Sequence, residues 1–101
     1  MTPVQKLEII IPDSFLEETV LALDKAGVPG YTALEVSRGK GKKHGETLSA
    51  GLLPTTRVTY LFTYCRAELI AKAVQLIHPI VDEVGGIYAV SEVMVGGTKI
   101  V

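Results

Sequence analysis

Four fixed positive charges, Arg38, Lys40, Lys42 and Lys43, and three glycines, Gly39, Gly41 and Gly45, fall within the nine residues from Ser37 to Gly45. Those residue types at that density suit the capture of an anion. Glycine lets the backbone approach a ligand closely, and successive backbone N–H groups in such a segment form a concave nest for phosphate or carboxylate oxygens. Lysine ammonium groups then supply the balancing charge. The competing reading is a solvated loop whose charges only keep it in water, so the surrounding elements must decide between them.

Other chemistry finds little footing. Cys65 is the only cysteine, which rules out an intrachain disulfide. It reads as a small buried apolar group, with nothing near it in sequence to activate the thiol. His44 and His78 are far apart and neither has a ligand partner at helical spacing, so no metal site is expected. His78, just before Pro79, reads as a helix-end residue. The chain has no asparagine to position a water, which counts against an acylphosphatase-type enzyme. A net charge of −1 makes the basic run a local feature and counts against a nucleic-acid module with a broad basic field. Glu8 and Glu35 could support nearby cations, but single carboxylates on strands are usually solvated.

The elements that must position the loop follow from apolar periodicity. Val4–Ile11 alternates, with Leu7, Ile9 and Ile11 on one face, and predicts a strand ended by Pro12. Ser14 and Glu17 have capping-box spacing. Leu16, Val20 and Leu23 mark one stripe of a helix over about 15–26, stopped by Gly27 and Pro29. Tyr31–Ser37 and Arg57–Tyr64 are strand-like. Between them, residues 37–56 show neither period, and a structureless stretch of that length is usually functional or disordered. A second helix starts near Arg66, with Ile70, Ala73, Val74 and Ile77 as its stripe and a kink or break expected near His78 because of Pro79. Gly85-Gly86 turns the chain into a strand over Ile87–Val95, and Thr98–Val101 could add an edge strand. Tyr60, Phe62, Tyr64 and Tyr88 read as core or interface packing rather than a base-stacking platform.

The order βαββαβ in 101 residues predicts one α+β domain, a ferredoxin-like split βαβ sandwich with both helices on one face of an antiparallel sheet. The 48% hydrophobic content and the apolar residues left on the uncovered sheet face predict assembly with further copies of the chain. No apolar run is long enough to span a bilayer, and the start, from Met1 to Glu8, lacks the basic and apolar regions of a signal peptide, so a cytoplasmic protein is expected.

From Lys6-Leu7-Glu8-Ile9-Ile10-Ile11, through Ala26-Gly27-Val28-Pro29-Gly30-Tyr31-Thr32 and Glu35-Val36, into Gly39-Lys40-Gly41-Lys42-Lys43-His44-Gly45, the chain resembles the PII signal-transduction superfamily. The resemblance implies a non-enzymatic homotrimer with nucleotide sites in the clefts between subunits. It also implies that residues 37–56 are the T-loop, which changes conformation with ligand and docks on a target. Carried over by position, Thr32 lies by the adenine, and Gly30 is a further nucleotide-binding residue. Gly39 and Gly41 approach the phosphates, Gly85 and Gly86 close around them, and Lys42 and Arg57 neutralise their charge.

Departures from the family pattern are informative. No tyrosine lies between residues 37 and 56, so the family's uridylylation target is missing. Val84-Gly85-Gly86-Ile87 lacks the aspartate and lysine of classical members, and Val95-Gly96-Gly97-Thr98 has no arginine pair to clamp a triphosphate. Each missing charge-assisted contact costs about 1.5–3 kcal/mol, roughly tenfold or more in affinity, so ADP or AMP is expected over ATP. In these respects the chain is similar to the PII-like proteins linked to bicarbonate transport and carboxysomes. That similarity implies bicarbonate as a second ligand near Lys40 and Lys43, and a regulated partner such as a membrane bicarbonate transporter.

Replacing Lys42 with alanine is expected to weaken ADP binding more than adenosine binding in calorimetric titrations. Equal losses would contradict a phosphate role for this residue.

Overall fold

The alternation along the first strand is realised in the computed structural model, which describes residues 1–38, 42–43, 46–47 and 57–97. Strand β1 (Thr2–Pro12) holds Leu7, Ile9 and Ile11 wholly buried, while Lys6, Glu8 and Ile10 between them are only half-buried. A 3-10 turn at Asp13–Phe15 leads into α1 (Leu16–Ala26), followed by β2 (Thr32–Val36). Two residue pairs form β3 (Lys42–Lys43) and β4 (Glu46–Thr47). Strand β5 (Val58–Cys65), helix α2 (Ala67–Val84) and strand β6 (Ile87–Val95) complete the chain as described.

The four long strands form an antiparallel sheet in the order β2-β5-β1-β6. This is the ferredoxin-like βαββαβ arrangement expected from the sequence. Leu61 and Cys65 of β5 join Leu7, Ile9 and Ile11 on one face, where they meet Leu23 and Ala26 of α1 and Ile70, Ala73, Ile77 and Val81 of α2. Both helices therefore cover the same side of the sheet. On the other side Lys6, Glu8 and Ile10 of β1 stand beside Tyr60, Phe62 and Tyr64 of β5, with Leu34 and Ile87 more than half exposed on the outer strands. Tyr88, by contrast, pairs with Ile9 and packs on the helix side.

Three local expectations give way. The helix begins at Leu16, with Phe15 at its N-cap and no side-chain hydrogen bond there, so the Ser14/Glu17 capping box does not form. The intervening 3-10 turn takes its place. Its Asp13 N–H donates to the Arg57 carbonyl at 2.7 Å, and its carboxylate accepts from the Thr59 hydroxyl at 2.8 Å. Pro79 does not break α2, and His78 lies inside the helix, its Nδ1 2.9 Å from the Tyr88 hydroxyl. The carbonyl that proline leaves without a partner belongs to Gln75. Both residues are exposed, where water can take that carbonyl, while Ile77 and Val81 hold the buried stripe to the sheet. Finally, residues 37–56 are not without regular structure, because β3 and β4 pair antiparallel with Lys43 opposite Glu46. The edge strand expected over Thr98–Val101 lies outside the described residues.

Helix α2 ends on Gly85, whose φ of 79° is left-handed and favours glycine. The next glycine is required for space. A Cβ on Gly86 would stand 2.5 Å from the Ile10 carbonyl oxygen and 3.0 Å from an Ile11 side-chain carbon. The turn is thus pressed directly against β1. Gly86→Ala is expected to lower stability by about 1–3 kcal/mol, the range typical of overpacking. Chemical denaturation at fixed protein concentration checks this, and an unchanged midpoint would show that the turn can give way.

Candidate functional site

Threonine hydroxyls on the buried side of β5 fix the approaches to β2 and α1. Thr63 donates to the Gly30 carbonyl, and Thr59 to the Asp13 carboxylate as described above. Both threonines are buried, and no described buried side-chain polar atom lacks a partner. The tether from Thr63 sets Gly30 and Thr32 against β5, where Thr32 pairs with Phe62. The result is an open cleft of about 280 Å³, with Gly30, Tyr31 and Thr32 on one wall and Phe62 and Tyr64 on the other. This cleft unites Thr32, expected by the adenine, and Gly30, expected to bind nucleotide, with two aromatic rings expected to serve only in packing. Aromatic faces suit a purine base, since every base presents a π-face for stacking. Alternation along β5 gave the facing of these rings, but only the register between β2 and β5 reveals what they face.

Arg57 stands at the other end of the β2–β5 pair. Thr32 and Val36 are four residues apart, about 14 Å at the rise of a strand. Past Val36 the chain enters the glycine and lysine run, and Arg57 precedes the Val58 that pairs with Val36. Its guanidinium Nη1 lies 3.3 Å from Glu35 Oε1. Glu35 and Arg57 fall on the helix side of the sheet by strand parity, opposite Thr32 and Phe62. Gly85 and Gly86 reach the same end of the sheet, beside Ile10 and Ile11, but at the β6 edge. Three strand spacings, about 14 Å, separate the β2 and β6 edges. One chain therefore divides the expected nucleotide residues between two opposite edges. Its cleft beside Thr32 is also smaller than the roughly 300–1,000 Å³ of a complete small-molecule site. Gly39, Lys40 and Gly41 lie outside the described residues, as do the side chains of Lys42 and Lys43, whose backbone forms β3. A larger cleft, about 390 Å³ between Pro3, Ala67 and Met94, contains none of the expected residues.

A polar network adjoins the aromatic wall on the uncovered face. The Tyr60 hydroxyl donates to Glu8 Oε2 at 2.6 Å, and Lys6 Nζ lies 3.6 Å from the same oxygen. Lys6 also sits over the rings of Phe62 and Tyr64, 5.0 and 5.7 Å from their centroids, within cation–π range. The Tyr60 hydroxyl holds the Glu8 carboxyl below its ordinary range, with Lys6 adding to the effect. The same bond to Glu8 pushes the Tyr60 phenol up. Lys6 is raised, first by Tyr60 and then by the neighbouring charges. Cys65 is buried, and burial pushes its thiol up, which agrees with an unreactive core residue. No group of metal-binding side chains occurs among the described residues. No described helix is long and apolar enough to cross a membrane.

Comparison with known proteins now bears on this geometry. The family model "Nitrogen regulatory protein P-II" matches residues 4–99. Among solved structures, CPII from Thiomonas intermedia K12, a nitrogen regulatory PII-like protein, is similar in several states. Its complex with ADP and bicarbonate is 28% identical over 94% of this chain and 90% of that one, with a TM-score of 0.76. Its complex with ADP, AMP and bicarbonate is 27% identical over the same shares, with a TM-score of 0.79. The B. subtilis GlnK–ATP complex, at 17% identity over 91% of this chain and 84% of that chain and a TM-score of 0.64, shares the fold. No curated protein matches the chain.

The network has a pH signature. A carboxyl depressed in the folded state contributes stability that is present above its unfolded-state value, about 4.5, and is lost as pH falls through the folded value. Tyr60→Phe is therefore expected to raise the Glu8 titration toward the ordinary range. The stability lead of the unsubstituted protein over Y60F is expected to shrink below about pH 4. NMR titration of the Glu8 carboxyl checks this, and a midpoint unmoved by Y60F would assign the depression to Lys6.

Proposed function

The chain belongs to the nitrogen regulatory protein P-II family, and on that premise we propose that it is a single-domain, non-enzymatic sensor over residues 1–101. In this reading it binds ADP or AMP in the clefts of a homotrimer and reports occupancy through the T-loop, residues 37–56. The observation that carries the reading is the likeness, over nearly the whole chain, to a protein solved with ADP, AMP and bicarbonate. The split geometry supports it. The Gly30–Thr32 wall with Phe62 and Tyr64 sits at one sheet edge and the Gly85-Gly86 turn at the other, so an edge of one copy beside the opposite edge of the next assembles a complete cleft.

The base lies against the wall at Thr32, and the phosphates run along β2 toward Gly39, Gly41 and Lys42, with Arg57 as a further cation. Bicarbonate is the second ligand, held by T-loop N–H groups with Lys40 and Lys43. Each ligand moves the loop only by its difference in affinity for the loop's two states. Nucleotide and bicarbonate that favour the same state strengthen each other's binding by equal factors. The docked partner is a protein of inorganic-carbon handling, such as a membrane bicarbonate transporter, met from the cytoplasm.

Calorimetric titration with AMP, ADP, ATP and bicarbonate, singly and in pairs, tests the reading. ADP or AMP is expected to bind about tenfold or more tightly than ATP, the effect of one lost charge-assisted contact. Bicarbonate is expected to bind more tightly once nucleotide is present. Binding of ATP tighter than both would refute the preference, and no heat with any adenylate would refute the sensor.

A further inference from the structure

The cation expected to meet the phosphates already has a partner. Arg57 is held by Glu35 through one contact, Nη1 to Oε1 at 3.3 Å, and the two side chains are 63% and 64% exposed. The backbones beneath them are fixed. The Arg57 carbonyl accepts the Asp13 N–H at 2.7 Å, and Glu35 pairs across the sheet with the buried Thr59. Only the side chains are free to exchange partners. A guanidinium has five N–H donors, and a single long contact at the surface holds it weakly, since exposed ion pairs contribute little. Phosphate oxygens offer the same group a paired, charge-assisted arrangement.

We propose that Glu35 is an internal competitor for the anion, parking Arg57 on the helix side of the β2–β5 pair until a phosphate displaces it. This rests on the nucleotide reading above. Phosphate binding then breaks a bridge between β2, where the chain leaves for the T-loop, and the residue at which it returns. Glu35 thereby lowers phosphate affinity and ties occupancy to the two roots of the loop. The nucleoside portion, which meets neither side chain, is indifferent to the exchange.

The test is a calorimetric comparison of ADP and adenosine on the unsubstituted protein, Glu35→Gln, Arg57→Ala and the double variant. E35Q is expected to bind ADP about two- to fivefold more tightly, the reach of an exposed pair, with adenosine affinity unchanged. In the R57A background the same substitution is expected to leave ADP affinity unchanged. A gain that persists without Arg57 would mean that Glu35 acts only by its general field on anions, and would overturn the exchange. E35Q binding ADP equally or less tightly, while the unsubstituted protein binds it normally, overturns the competitor role alone. Failure of the unsubstituted protein to bind ADP removes the nucleotide reading and this proposal together.

Discussion

Everything in this fold hangs on β1, one of the two central strands of the sheet, hydrogen-bonded on both sides and buried on one. Leu7, Ile9 and Ile11 have no exposed surface, and β5 and β6 both take their register from the same backbone. A one-residue slip would turn those three side chains out and bring Lys6 and Glu8 into the core, so the register admits no drift. From it follow the close approach of Gly86 to Ile10, the entry point of β6, and the placement of Tyr60 opposite Ile10 and beside Glu8. The turns at that end of the sheet inherit their positions from this strand.

A consequence of the strand order is that chemistry is distributed. The β2 edge carries the cleft beside Thr32, the β6 edge carries the glycine turn, and the core strands keep them apart. Within one copy, Gly30 and Thr32 at the β2 edge and Gly85 and Gly86 at the β6 edge stand on opposite sides of the sheet's central strands.

Much of this architecture was legible because it depends on local periods. Alternation named the buried face of β1, the stripe of Ile70, Ala73 and Ile77 named the inner side of α2, and Gly27 marked the end of α1. What escaped depends on pairing between distant segments. A capping box at Ser14 was reasonable locally, but Asp13 found better partners in Arg57 and Thr59, more than forty residues away in sequence. The proline in α2 was judged by what it removes; its exposed position and the buried stripe beside it decided the outcome. Two-residue strands are too short to show a period, so β3 and β4 were invisible. The cleft beside Thr32 was legible in part. Gly30 and Thr32 were named from the family pattern, whereas Phe62, Tyr64 and the Glu35–Arg57 contact required the β2–β5 register.

The Lys6–Glu8–Tyr60 network has a bearing on symmetry. In a ring of copies neighbours meet through different patches, but residues close to the rotation axis meet their own equivalents, so an unbalanced charge there meets its own kind. On the uncovered face Lys6 and Glu8 cancel within a single chain, and the Tyr60 hydroxyl donates to the same carboxylate oxygen. Such a face can approach its own image without like-charge repulsion and without requiring an opposite charge from the neighbour. Removing either charge alone would leave every copy carrying the same excess, multiplied by the order of the axis.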